Sequence, residues 1–213
     1  MHHQELIEKL TAGMQPAPRN AVSRRLTTGL AVGGTTSLLL LLACLGMRDD
    51  MDAAVSTGAF WMKWAFVAAG AIPAFILTRR LARPDGKVGR LSLLLAAPVV
   101  VLASFAVVRL VGISPELRAA RWLGHSADSC PWIIAALSIP VFATTVLALR
   151  RCAPTHLPLA GFTAGLLSGT VAAFMYALCC NETEPAFIVT WYTLGMLLPA
   201  LIGALVGPRL LRW

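Results

Sequence analysis

Charge is scarce in this chain. Asp, Glu, Lys and Arg make up 13% of its 213 residues, where a soluble domain carries roughly a quarter. Water is therefore not its main solvent. Acidic side chains are scarcer than basic ones, ten against eighteen, and every Asp and Glu falls outside the long apolar stretches. A transporter or ion pump usually needs an ionisable group deep in the membrane, so the missing carboxylates argue against a proton-coupled carrier. An obvious internal repeat is missing too, which weakens the second reading, a small-molecule or metal-ion permease. No basic run interleaved with aromatics occurs, which disfavours direct DNA or RNA binding. There is no C-x-x-C, which disfavours a membrane thiol oxidoreductase. No residue pattern calls for an enzyme's catalytic centre or for a cofactor.

What the chain has in quantity is apolar length. A membrane span needs about 20 mostly apolar residues, because the hydrocarbon core is roughly 30 Å thick. Six stretches qualify, approximately Leu26–Gly46, Gly58–Thr78, Leu91–Ile113, Pro131–Leu149, Leu159–Cys179 and Ala186–Val206. The fold class expected is an all-α integral membrane protein of six transmembrane helices. Residues 1–25 form a tail and residues 26–213 the transmembrane domain. Two processing signals overlap the first span. Ser23-Arg24-Arg25-Leu26 resembles a twin-arginine signal, and Leu41-Leu42-Ala43-Cys44 resembles a lipoprotein cleavage box. Such signals usually export soluble proteins, and here five more spans follow, so the first span is expected to be retained.

Charge orients the bundle. The tail carries Lys9, Arg19, Arg24 and Arg25; the second loop Arg79, Arg80, Arg83, Lys87 and Arg90; the fourth Arg150 and Arg151; the C-terminus Arg209 and Arg212. The first loop sets Arg48 against Asp49, Asp50 and Asp52, the third is mixed, and the fifth has Glu182 and Glu184 with no base. The positive-inside rule then places both termini in the cytoplasm. Lys63 and Arg109 each lie about one turn inside the outer end of a span and are expected to snorkel as interfacial anchors.

Three further patterns stand out. Gly161, Gly165 and Gly169 share one face of the fifth span, and Gly203 and Gly207 repeat the spacing in the sixth, a signature of close helix packing. Pro73, Pro98, Pro140 and Pro199 sit near mid-span and permit kinks. In the tail, Leu6, Ile7, Leu10 and Met14 lie at helical spacing before Gln15-Pro16-Ala17-Pro18 breaks the run. This short N-terminal amphipathic helix needs a surface, either the membrane interface or a partner's groove. Its acidic residues favour a protein partner.

Of the five cysteines, Cys44, Cys130, Cys179 and Cys180 fall at the outer ends of spans, and Cys152 faces the cytoplasm. In an oxidising exterior such thiols form disulfides or bind soft metal ions. A bond between neighbouring Cys179 and Cys180 would close a strained ring, so Cys130 is the better partner. His125 lies near the same ledge and could join a metal site.

The C-terminal half carries a recognisable series. It reads Cys130-Pro131-Trp132, Leu137-Ser138-Ile139-Pro140, Leu149-Arg150-Arg151-Cys152-Ala153-Pro154-Thr155, Tyr176-Ala177-Leu178-Cys179-Cys180-Asn181-Glu182, Trp191-Tyr192-Thr193-Leu194-Gly195 and Gly207-Pro208-Arg209-Leu210-Leu211-Arg212-Trp213. The series resembles the NrsF-type family of bacterial inner-membrane anti-sigma factors, as does the opening Glu5-Leu6-Ile7-Glu8-Lys9-Leu10. The resemblance implies a six-span protein of the bacterial inner membrane that holds an extracytoplasmic-function sigma factor inactive and releases it on stress. Leu6, Ile7 and Leu10 would bind the sigma factor. The family's two outer cysteines map onto Cys130 and Cys180. Cys179-Cys180-Asn181-Glu182 stands where the family usually has His-Cys-Pro-Glu. The sensor expected is Cys130 acting with Cys180, with Cys179 able to substitute. The same three cysteines are the candidate ligands for a soft metal ion as the signal.

Overall fold

The computed structural model describes residues 5, 7, 8, 12 and 20–212. Six helices are long and apolar enough to cross a membrane: α1 (Ala21–Cys44), α3 (Gly58–Leu81), α4 (Gly89–Val111), α6 (Cys130–Arg150), α7 (Leu157–Tyr176) and α8 (Pro185–Leu210). Two short helices, α2 (Met51–Val55) and α5 (Pro115–Leu123), fill the first and third loops. Among the described residues there is no strand. All six expected spans are present, with ends displaced by a few residues. The largest displacement is at α1, which starts five residues early; in its second turn the Arg25 guanidinium donates to the Arg151 carbonyl, 2.9 Å away.

Local sequence sets the helix starts. Pro115, Pro131, Pro158 and Pro185 occupy first turns, where a missing N–H costs nothing. The Thr57 side chain accepts from the Phe60 N–H and caps α3. Inside the spans, hydroxyls return to their own helix: Thr78 to the Ala74 carbonyl, Ser168 to Ala164 and Thr170 to Leu167. This satisfies polar groups where lipid offers no partner. Ser37 instead bonds across helices, to the Leu137 carbonyl at 2.7 Å.

Helix α7 is the centre of the bundle, with 61% of its most apolar window buried. Small residues allow this. A carbon added at Gly161 or Gly165 would overlap the backbone of Gly203 or Pro199 in α8, and one at Gly169 would sit 2.8 Å from the Met196 carbonyl oxygen. The glycine stripe therefore brings two backbones into contact, as its spacing predicts. A second close approach joins α1 to α6, where a carbon on Gly33 would lie 2.7 Å from the Val141 Cα.

Helix α4 is the exception. Only 11% of its window is buried. It is separated from α3 by an apolar groove of about 1070 Å³, lined by Met62, Phe66, Pro73, Leu94 and Val101 with Arg109 at one end. A second groove of about 380 Å³ lies between α4 and the faces of α3, α7 and α8.

The helices alternate in direction. At one end Arg25 reaches Arg151, Arg150 donates to the Leu210 carbonyl, and Thr155 donates to the Pro84 carbonyl. This is the arginine end. At the other, the cysteine end, the start of α3 meets the chain following α7 through Lys63 and Cys180. The tail precedes α1 and so leaves from the arginine end. Of its expected binding residues, Leu6 and Leu10 lie outside the described residues. Glu5, Ile7 and Glu8 are helical, and Ile7 is 58% exposed.

Candidate functional site

The cysteine end encloses a small buried cluster. Cys130 opens α6, its N–H bonded to the Ser126 carbonyl at 2.9 Å. After Tyr176 the chain leaves α7 in a tight turn, in which the Cys179 and Cys180 N–H groups both donate to the Tyr176 carbonyl, at 3.1 and 3.0 Å. That turn carries Cys180 inward. Cys130 is 0% and Cys180 4% exposed. Tyr176 and Tyr192 close the cluster, their rings 5.9 Å apart. The Tyr176 hydroxyl faces both thiols. The Tyr192 hydroxyl is buried and faces Cys180.

Lys63 completes the cluster and overturns its expected role. It does not snorkel to the interface: it is 1% exposed, and its ammonium donates to the Cys180 carbonyl at 2.7 Å, 5.9 Å from the centre of the Tyr192 ring. The Cys180 carbonyl lies beyond the end of α7, outside any helical ladder, so it is free to accept. That acceptor lies within reach of Lys63 on the bundle side of α3, and the side chain turns inward. Arg109 remains exposed, as an anchor would.

Tyr192 reaches the cluster through an irregularity. Residues Ile188–Tyr192 form a π-turn inside α8, and such turns frequently mark functional sites. Nothing in the residues Ile188-Val189-Thr190-Trp191-Tyr192 announces it, and the sequence reading missed Tyr192 and Tyr176 as site residues.

A polar clasp covers the cluster. One Glu182 carboxylate oxygen accepts from the His125 N–H at 2.7 Å and from the Ser126 hydroxyl at 3.4 Å. Gly124, at φ +57°, lets the loop turn there, and any side chain carbon on it would strike that carboxylate and Phe187. Arg121 pairs with Glu184 at 3.3 Å. The Trp122 indole donates to the Thr190 hydroxyl, and Trp191 donates to the Trp122 carbonyl at 3.0 Å. Helix α5 is thereby tied across the turn that bears Cys180. In the first loop Arg48 and Asp50 form a two-pronged pair at 2.6 and 2.7 Å. Their hydrogen bond holds the Asp50 carboxyl below, and the Arg48 guanidinium above, its ordinary value.

The other candidates lie apart from this centre. The Cys179 thiol points back to the Tyr176 carbonyl at 3.4 Å and is half-buried. Burial first, and the neighbouring Cys180 second, push it up to about 11. Cys44 ends α1 in an exposed position. The His125 side chain is fully exposed, and its place in the clasp comes from its backbone N–H. Among the described residues no three His, Cys, Asp or Glu side chains come close enough to hold a metal ion. The cysteines among the described residues are free thiols.

Comparison with known proteins agrees with this picture. The family described as negative regulator of sigma F, NrsF, matches residues 10–213. The chain is 38% identical over 213 residues to the "Probable anti-sigma-F factor NrsF" of Azospira oryzae, covering the whole of both chains. It is 37% identical over 219 residues to the "Anti-sigma-F factor NrsF" of Caulobacter vibrioides, again over the full length of both. No solved structure matches it. With its six spans, its glycine-locked core and its full-length match, the chain belongs to the NrsF family of negative regulators of sigma F.

Proposed function

We propose that this protein is a non-enzymatic anti-sigma factor of the bacterial inner membrane. In this reading the N-terminal tail sequesters an extracytoplasmic-function sigma factor through Leu6, Ile7 and Leu10, and the cysteine end reads the releasing signal at Cys130 and Cys180. The observation that carries it is the burial of those two thiols together at the opposite end of the bundle from the tail. Such an arrangement suits a receptor whose input and output lie on two faces of a membrane. The arginine end carries Arg79, Arg80, Arg83, Arg90, Arg150 and Arg151, which favours its placement in the cytoplasm. The permease reading gains nothing: the buried charged residue among those described is Lys63, with no carboxylate beside it in that set.

One experiment tests both halves. A sigma-dependent reporter is measured in strains carrying either Leu6, Ile7 and Leu10 all replaced by Asp, or Cys130→Ser. The triple replacement should switch the reporter on without stress, since each buried leucine-sized side chain contributes roughly 1.5–3 kcal/mol. Cys130→Ser should keep repression and blunt induction by thiol-reactive metals and oxidants. Full repression by the triple variant refutes tail binding, and normal induction in Cys130→Ser together with Cys179→Ser/Cys180→Ser refutes thiol sensing.

A further inference from the structure

The groove between α3 and α4 has the size of a ligand site. Its volume of about 1070 Å³ is just above the roughly 300–1,000 Å³ of common small-ligand pockets. Small residues and mid-span prolines hollow it out: Ala65, Ala69 and Pro73 line it from α3, and Ala97, Pro98 and Val101 from α4. Two charged residues, Arg109 and Glu184, line its end nearest the cysteines. The Glu184 carboxylate is engaged, since it pairs with Arg121 at 3.3 Å. The ion pairs of the described residues are Arg48–Asp50, Arg121–Glu184 and His125–Glu182, and none of them includes Arg109. The groove therefore ends in a cation that lacks an anion among the described residues.

Length narrows the choice of occupant. The rise from Pro98 to Arg109 on α4 is about 16 Å. One leaflet is half of a hydrocarbon core roughly 30 Å thick, so this stretch matches one acyl chain, with the cation at headgroup level. Lipid tails are as apolar as leucine, and apolar walls alone select no occupant over another. Selection falls to Arg109, because a guanidinium matches a phosphate group in shape and charge. Basic pockets between membrane helices hold anionic headgroups in this way. The six spans contain no Asp or Glu, so a helix of a second copy seated in the groove would leave Arg109 without an anion.

We propose that the α3–α4 groove binds one anionic phospholipid of the leaflet on the cysteine side, its phosphate held by Arg109 and one acyl chain lying along the walls as far as Pro98. The site is separate from the thiols and does not depend on their role.

The test uses the full-length protein in nanodiscs of phosphatidylcholine containing a trace of phosphatidylglycerol with a photoactivated diazirine in its acyl chain. Light fixes the probe where it lies, and peptide mass spectrometry reads the labelled residues. Label should concentrate on Ala97 and Val101 and be sparse on Val107 and Val108, which are exposed on α4 outside both grooves. Unlabelled phosphatidylglycerol should displace the groove label about fivefold better than an equal amount of phosphatidylcholine, the preference that one arginine near a membrane surface confers. Arg109→Gln should abolish that preference, and Arg109→Lys should retain most of it. Ala69→Leu combined with Ala97→Leu fills the groove and leaves the cation, and should remove the groove label while sparing Val107 and Val108. Even labelling of Val101 and Val108 in the parent, or equal displacement by the two lipids, overturns the proposal. An unchanged preference in Arg109→Gln also overturns it, by assigning the selectivity to other arginines. A groove that takes no label overturns it in favour of a protein occupant. If Arg109→Gln does not assemble, the parent's preference and the filled groove decide.

Discussion

Cys179 and Cys180 are adjacent in sequence and opposite in circumstance. Cys180 is turned into the cluster beneath the Lys63 ammonium, while Cys179 points back along α7 and is held up to about 11. A thiol raised this way is neutral at pH 7 and gains thiolate as the pH rises. Alkylation of Cys179, followed by peptide mass spectrometry, should therefore increase about tenfold per pH unit through the neutral range and level off only near 11. A rate already flat by about pH 8 would mean that burial does not hold the Cys179 thiol neutral. At this scale the sequence was only partly legible. The ledge of cysteines followed from topology and charge. The direction of Lys63 did not, because depth along a helix says nothing about which side of it faces the bundle. Tyr192 was hidden for a related reason: a π-turn changes the register between sequence spacing and helix face, and no residue type marks it.

The spans themselves were readable because hydropathy and length are what the bilayer selects. Their ends were less so: near the start of α1, Arg25 bonds to a residue 126 positions away. The α7–α8 contact was visible in the spacing of Gly161, Gly165 and Gly169. The α1–α6 contact carries the same four-residue signature at Gly29 and Gly33, a signal that was present and overlooked. The packing makes a sharp prediction. Gly165→Leu forces a side chain into the α8 backbone at Pro199 and should cost about 3 kcal/mol or more, read as a lower melting temperature in detergent and loss of the folded monomer. At Gly58, in the first turn of α3, an added Cβ meets no atom within 4 Å, and Gly58→Leu should change stability by less than about 0.5 kcal/mol. Equal effects would mean that the glycine stripe is not what holds the two helices together.

For the molecule as a whole, the proposed mechanism requires the two ends to face different compartments. Reporter domains fused after Arg83, Arg151 and Trp213 should read as cytoplasmic, and those after Asp52 and Asn181 as external. An external reading at Arg83 would invert the bundle and place the thiols beside the sigma factor instead of across the membrane from it. The path between the ends is visible in outline. The Cys180 turn continues α7, the π-turn that carries Tyr192 opens α8, and these two helices share a backbone contact down their length to Gly161 and Gly207, close to the arginine end. A rearrangement at the thiols would therefore act on the most closely packed pair in the bundle.

Helix α4 stands at the other extreme. It has little of its surface against protein and a groove on either flank, so few protein contacts fix its position. A thicker or thinner bilayer can tilt α4 without breaking a packed interface, since mismatch costs only fractions of a kcal/mol per Å. The α7–α8 pair has no such latitude. Lipid composition should thus matter to this protein at one flank and little at its centre, and the choice of detergent or lipid should alter the α3–α4 side of the molecule long before it disturbs the thiols.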